Sequence, residues 1–400
     1  MRLVVRAAEV TGATELIDVT AAHLDSCLYH GEASVDFVQR LVDGRARVRV
    51  PTTLNVGAVD LLHPELYRGD RYVAERGRLL MDRYRALGAR PTYTCAPYQL
   101  EDARPPLGAQ VAWGESNAIA FCNSVLGART NRYGDFIDVA AAITGRVPYA
   151  GLHRTEARRA TLVMRLATDV PAALRDADQL FPLLGLVLGS RAGSAVAVID
   201  GLAPGQSEDR LKALGAAAAS SGSVAMFHVT GSTPEAKTLD DALQHQAPDA
   251  VELVTLSDLR TARDELTTAA GDRLAAVSLG TPHASLAELD RYAAMLGERQ
   301  VHADVQLLIS TGRETLAAAA RGGITERLRA AGAELLVDTC SYVAPILRPN
   351  DGATMTDSAK WAYYAPGNVG ASVVFGSTQE CIRSAVAGRV TRDDGLWGAQ

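Results

Sequence analysis

From Ala160 onward, short apolar runs alternate with longer amphipathic stretches. The runs 160–166, 194–199, 223–229, 274–279, 304–309 and 334–338 each have the length and the apolar, β-branched content of a buried strand. Helical stretches separate several of them. One unit is legible in detail: a strand at 304–309, then Ser310-Thr-Gly leading into a helix from about Arg313. The pair Gly322-Gly323 breaks that helix, a second helical piece covers 324–331, and the next strand is 334–338. Asp338-Thr339-Cys340 therefore falls at a strand's carboxyl end. Strand–helix alternation predicts an α/β fold with largely parallel sheets and flanking helices, whose binding sites lie at the carboxyl ends of the strands.

There is no solenoid-length repeat and no heptad array. The best candidate boundaries are the Pro- and Gly-containing stretch from Pro182 to Gly201 and the return near Cys340. They divide the chain into 1–190 with 335–400, carrying the site, and a second α/β domain at 191–334. Its 400 residues, 48% of them hydrophobic, suffice for several cores. A net charge of -6 excludes a global positive field for nucleic acid or an anionic membrane surface. The opening residues are too short in apolar length for a signal peptide, and the longest apolar run, 180–188, is too short to cross a bilayer. Five cysteines at long, irregular spacing argue against a disulfide scaffold and for a cytoplasmic protein.

The densest polar segment in an otherwise apolar context runs from Trp113 to Asp135. As a helix, it sets Asn117, Phe121 and Ser124 on one face and places Glu115, Ser116 and Asn117 at its start. Arg129, Asn131 and Arg132 follow in a Gly-flanked loop, where guanidinium forks suit a carboxylate or phosphate. The alternative is structural: Ser116 or Asn117 caps the helix and the arginines are solvated. Cys95, in Thr94-Cys-Ala-Pro-Tyr, sits in an extended or turn segment that offers a thiolate from a loop, whereas Cys27 and Cys122 read as packed thiols in helices. Cys340 follows a strand and Cys381 lies at a helix start. Spacing alone identifies no metal site; three gathered thiolates would hold an iron–sulfur centre with one iron open to substrate. Only three of the 40 basic residues are lysine, which singles out Lys360, close to Ser358, for carboxylate binding or proton transfer. His283 follows a strand and reads as a hydrogen-bonding structural histidine.

Taken in order, Pro51-Thr-Thr-Leu-Asn, Thr94-Cys-Ala-Pro-Tyr-Gln, Trp113-Gly-Glu-Ser-Asn, Asn123-Ser-Val-Leu-Gly-Ala-Arg-Thr-Asn-Arg, Ala142-Ile-Thr-Gly-Arg-Val-Pro, Gly151-Leu-His, Gly280-Thr-Pro-His, Asp338-Thr-Cys and Ser358-Ala-Lys resemble the large, catalytic part of the aconitase X family. The resemblance spans nearly the whole chain. It implies an aconitase-like fold of several parallel-sheet domains without the family's small swivelling domain, and a hydro-lyase that uses an iron–sulfur cluster (2Fe-2S or 4Fe-4S) or mononuclear iron as Lewis acid. The family includes cis-3-hydroxy-L-proline dehydratases and mevalonate 5-phosphate dehydratases. The residues around Cys95 and the stretch Asn131-Arg-Tyr-Gly-Asp look closer to the hydroxyproline branch; the alternatives are the phosphorylated substrate and a metal-free scaffold or regulatory subunit.

The same resemblance implies Cys95, Cys340 and Cys381 as metal ligands, with Thr281 standing where the family often has a cysteine. It implies Lys360, Ser116 and Asn117 as catalytic residues, and Glu115, Asn123, Arg129, Thr130, Asn131, Arg132 and Ser358 as substrate contacts. A small swivelling-domain subunit is the expected partner and a small hydroxy acid the expected substrate, with no nucleic acid and no membrane.

Overall fold

The computed structural model describes residues 1–397 as fifteen α-helices and fourteen strands, gathered into four sheets. Three sheets are wholly parallel. The first joins Thr52–Leu54, Ala22–Leu24 and Ala112–Trp113, in that spatial order. The second orders Phe227–Val229, Ala197–Asp200, Leu162–Leu166 and Ala250–Val254. The third orders Ala333–Leu336, Gln306–Thr311, Leu274–Ala284, Ala353–Thr356 and Val373–Phe375. A two-stranded antiparallel ribbon, Leu16–Asp18 with Arg146–Pro148, is separate.

The six predicted strands from 160 onward all form, with ends that differ by up to five residues, the largest difference being the extension of 274–279 to Leu274–Ala284. The helix expected from Arg313 spans Arg313–Arg321 and its continuation spans Ile324–Ala330, parted at Gly322 and Gly323 as the glycines dictate. The boundary expected near 190 falls between two strands paired in one sheet, Leu162–Leu166 and Ala197–Asp200, and 191–334 contributes to two different sheets. The apolar run at 180–188 lies in helix Leu180–Ala192. It is buried on almost every side between neighbouring elements, as an all-round apolar helix in a globular core must be. No described helix is long and apolar enough to cross a membrane.

The topology delivers chemistry to one place. Because the strands of the first sheet are parallel, their carboxyl ends share an edge, and Asp25, Asn55 and Glu115 all lie just past those ends. Thr94 N donates to Leu54 O at 3.1 Å, which carries Cys95 to the same edge. In the third sheet the carboxyl ends lead to His283, Cys340 and Lys360. Two reciprocal contacts clamp the edges together: Gly57 N donates to Asp338 O at 2.7 Å, and Val337 N donates to the Asp60 carboxylate at 2.9 Å. The Asp338 carboxylate also accepts from Leu61 N at 3.0 Å and pairs with Arg313 at 2.6 Å. The second sheet buttresses the first through Ser124, whose Oγ accepts from Phe227 N at 2.9 Å, and through the fully buried Arg158, which bonds Asn123 O at 2.9 Å and Glu235.

Candidate active site

Cys95, His283 and Cys340 are buried together, their ligand atoms all within 4.8 Å of one another. The strand Leu274–Ala284 can pass this close to its neighbour because residue 280 is glycine. A Cβ there, at φ +80, would stand 2.1 Å from Ser310 O. Cys95 Sγ accepts from His283 N at 3.3 Å. Burial pushes the Cys95 thiol up, but the Cys340 Sγ–H donated to it and the nearby His283 and Lys360 outweigh that, bringing it down to about 6. Cys340, the donor of that shared hydrogen bond and itself buried, moves well upward. His283 Nε2 donates to Thr339 O at 3.1 Å and its Nδ1 lies 3.0 Å from Thr94 Oγ1, so Nδ1 is the nitrogen able to exchange its partner for a metal.

This donor set fits an iron or iron–sulfur centre. Two sulfurs and an imidazole are soft and borderline ligands of the right kind. Around them Thr281 Oγ1, Thr339 Oγ1 and Gln99 Oε1 are buried without hydrogen-bond partners among the described residues. Cys381, expected as third ligand, is not part of the group. It sits in helix Thr378–Ala387, fully buried among the apolar residues of the third sheet's core, and burial drives its thiol well above the ordinary value. Cys122 is packed in a helix as expected, whereas Cys27 lies in a turn and donates to Asn55 O at 3.1 Å.

A cavity of about 810 Å³ has a lining that includes Asp25, Asn55, Glu115, Ser116, Arg132 and Lys360; the thiols do not line it, but Glu115 and Lys360 are close enough for their charges to act on both. Glu115 caps helix Ser116–Ser124 with its own side chain, accepting from Ala118 N at 2.8 Å, so the cap is neither Ser116 nor Asn117. Its φ of 65 is uncommon for a residue with a Cβ and is held by an ion pair to Lys360 and a bond from Asn117 Nδ2. Burial pushes the Glu115 carboxyl up, but the Lys360 ammonium and the hydrogen bonds bring it below its ordinary value. Burial opposes the charge on Lys360 likewise, and Glu115 more than offsets it, holding the ammonium well above the usual range. Both members are therefore ionised, with only 3% and 6% of their side chains exposed.

Asn117 faces inward from the cavity: Nδ2 donates to Cys95 O at 2.8 Å and Oδ1 accepts from Tyr98 Oη at 2.7 Å. It positions the cysteine loop. Arg132 is exposed at the cavity rim and makes no hydrogen bond or ion pair among the described residues. The other loop residues expected at the substrate are used elsewhere. Arg129 Nη1 donates to His153 O at 3.1 Å and Thr155 Oγ1 at 2.9 Å. Asn131 clamps Ala150 O at 2.9 Å and Leu152 N at 2.8 Å. Asn123 and Thr130 bond each other at 2.9 and 3.0 Å and are fully buried. Ser358 caps helix Ala359–Val369 through Trp361 N at 3.1 Å and lines a separate cavity of about 490 Å³. Polar residues that lock a loop and those that touch a ligand have the same composition, which is why sequence did not separate them.

Sequence reasoning missed Asp25 and Asn55 as site residues and His283 as a partner of the thiols. The first two follow three-residue strands too short to show period-two patterning. Asn55 Nδ2 bonds Asp25 Oδ1, while Asn55 Oδ1 is buried without a partner.

Comparison with known proteins identifies the family. Residues 1–156 match the aconitase X first domain, 160–264 the second domain and 274–387 the third. The chain is 43% identical over 392 residues to a cis-3-hydroxy-L-proline dehydratase of Pseudomonas aeruginosa, covering 97% of this chain and 67% of that protein. It is 41% identical to one of Hypocrea jecorina, again covering 97% of this chain but 65% of the relative, so it spans about two thirds of these relatives' length. It is 37% identical to the phosphomevalonate dehydratase large subunit of Methanothermobacter thermautotrophicus, covering 96% of this chain and 93% of that one. The crystal structure of Thermococcus kodakaraensis aconitase X in its holo-form superposes with a TM-score of 0.85 at 30% identity, covering 96% of this chain and 94% of that one. With all three domain types matched in order and a near-complete structural superposition, the chain belongs to the aconitase X family.

Proposed function

We propose that this chain is the large, catalytic part of a cytoplasmic hydro-lyase that removes water from cis-3-hydroxy-L-proline. The observation that carries the reading is the convergence of Cys95, His283 and Cys340 within electrostatic reach of the ionised Glu115–Lys360 pair, which lines a cavity. Cys95 and Cys340, with His283 Nδ1 as a further donor, would hold an iron or iron–sulfur centre, which would supply Lewis-acid chemistry when bound. Lys360, kept charged by Glu115, and the unpaired Arg132 orient the substrate carboxylate. Ser116 Oγ, 3.4 Å from the Glu115 carboxylate at the cavity wall, is placed to hydrogen-bond the substrate and to take part in proton transfer. The balanced reaction removes the ring hydroxyl and the hydrogen on the carbon bearing the carboxylate, giving water and an enamine-type pyrroline carboxylate.

The identities of 43% and 41% to cis-3-hydroxy-L-proline dehydratases support this substrate over phosphomevalonate, whose large-subunit relatives reach 37%. The phosphomevalonate relatives are named large subunits and are matched over nine-tenths of their length, which supports a small swivelling-domain subunit as the partner that completes the cavity. Five free thiols suit a reducing cytoplasm.

Anaerobic reconstitution with iron and sulfide, followed by iron content and visible absorbance, tests the centre. Cys95→Ser, Cys340→Ser and His283→Ala are each expected to lower bound iron. Unchanged iron in all three, or a wild-type chain that never acquires iron with or without its partner, would overturn the reading in favour of a metal-free scaffold.

A further inference from the structure

The cavity that holds the Glu115–Lys360 pair is lined by charges of both signs. Its cations include the Lys360 ammonium, paired with Glu115, and the unpaired Arg132 guanidinium. Asp25 lines the same cavity and has no cationic partner among the described residues. Its backbone N–H donates to Asp138 at 2.9 Å and its carboxylate accepts from Asn55 Nδ2. The close approach of Gly114 fixes it beside Glu115: a Cβ on residue 114 would lie 3.0 Å from Asp25 Cβ. Glu115, Asp135 and Asp138 all face Asp25 with negative charge. Burial and these carboxylates push Asp25 up to about 7, the behaviour of an acid that lacks a counter-ion.

We infer that Asp25 accepts the ring ammonium of a cyclic amino-acid substrate, and so selects amine-bearing over phosphorylated hydroxy acids. The inference rests on the substrate class proposed above and adds the group that enforces it. A zwitterion that places its carboxylate at Lys360 and Arg132 and its ammonium at Asp25 gives each of its charges an opposite partner. A phosphorylated hydroxy acid brings further negative charge toward Asp25, where three other carboxylates already repel it, and besides Lys360 and Arg132 the cavity lining offers only the His30 imidazole, which faces Asp135.

Two ring carboxylates separate the contributions: L-proline, which carries the ammonium, and tetrahydrofuran-2-carboxylate, which has oxygen in its place. Their inhibition constants are to be measured at about pH 8 on the iron-reconstituted chain with its small subunit, using cis-3-hydroxy-L-proline turnover. A charge-assisted hydrogen bond predicts that the wild-type protein prefers L-proline by about 10- to 100-fold. Asp25→Asn is expected to erase that preference while leaving tetrahydrofuran-2-carboxylate binding and iron content unchanged, and to raise KM more than it lowers kcat. Asp25→Glu is expected to restore part of the preference. Equal binding of the two compounds by wild-type protein overturns the inference without any variant. A preference that survives in a folded Asp25→Asn also overturns it, while turnover of hydroxyproline shows that the reaction assignment stands. Absence of hydroxyproline turnover together with turnover of 5-phosphomevalonate removes both.

Discussion

Replacing Lys360 with methionine would leave Glu115 ionised and 6% exposed, with its hydrogen bonds from Ala118 N and Asn117 but no cation. Breaking a buried pair from one side costs about 3–5 kcal/mol, because the remaining charge is uncompensated. At roughly 2–4 °C per kcal/mol for a domain of this class, the first thermal transition should fall by about 10 °C. The cost has a definite pH dependence. In the wild type Glu115 lies below its ordinary 4.5, so its contribution is complete above that value and is lost only as the pH falls through the lower, folded value. In Lys360→Met, burial acts with only the hydrogen bonds to oppose it and the value moves above 4.5, so the penalty is full at about pH 8 and shrinks toward about pH 5 as Glu115 takes up a proton. The double variant Glu115→Gln/Lys360→Met removes both charges and should melt above Lys360→Met at about pH 8. Scanning calorimetry of the four proteins at both pH values is the assay. If the double variant melts no higher than Lys360→Met, or if the deficit is the same at both pH values, Glu115 is not held as a buried carboxylate by Lys360.

Cys381→Ser should destabilise the third sheet's core yet leave iron content at the wild-type level, unlike Cys95→Ser and Cys340→Ser, as iron analysis on folded protein will show. Asn123→Ala should lower stability by about 1–3 kcal/mol, because it leaves Thr130 and Arg158 short of buried partners, while the KM for substrate stays unchanged in steady-state assays. Asn117→Ala, which frees the Cys95 carbonyl and the Tyr98 hydroxyl, should weaken metal retention against a chelator without altering the set of ligands. Asp138 is buried and pushed up to about 7, mainly by that burial, so its folded form binds a proton more tightly than its unfolded form; stability it contributes at low pH is lost as the pH rises toward 7. Asp138→Asn should therefore flatten that part of the pH–stability profile.

The sequence made six of the nine strands of the second and third sheets legible because they carry continuous apolar runs, such as 304–309 and 334–338, whereas Ala250–Val254, Ala353–Thr356 and Val373–Phe375 were not picked out. Cys340 was placed correctly at a strand's carboxyl end for the same reason. The first sheet left almost no periodic trace: Ala22–Leu24, Thr52–Leu54 and Ala112–Trp113 are two or three residues long. The residues just beyond the first two, Asp25 and Asn55, were therefore passed over, while Glu115 was found through its polar neighbours. Lys360 stood out because lysine is rare in this chain, and the structure buries it against Glu115. Cys381 misled because a packed thiol and a ligating thiol are the same residue until the fold separates them. His283 looked structural, and its bonds to Thr94 and Thr339 are indeed structural; its place beside two thiols comes from tertiary contacts between segments far apart in sequence.

The most direct measurement is turnover by the anaerobically reconstituted chain with its small subunit, offered cis-3-hydroxy-L-proline and 5-phosphomevalonate in parallel and followed by NMR for the unsaturated product. The account predicts iron-dependent loss of water from hydroxyproline, abolished in Cys95→Ser and Cys340→Ser, and no reaction of phosphomevalonate. Dehydration of phosphomevalonate alone, or hydroxyproline turnover that survives complete removal of iron, would contradict it.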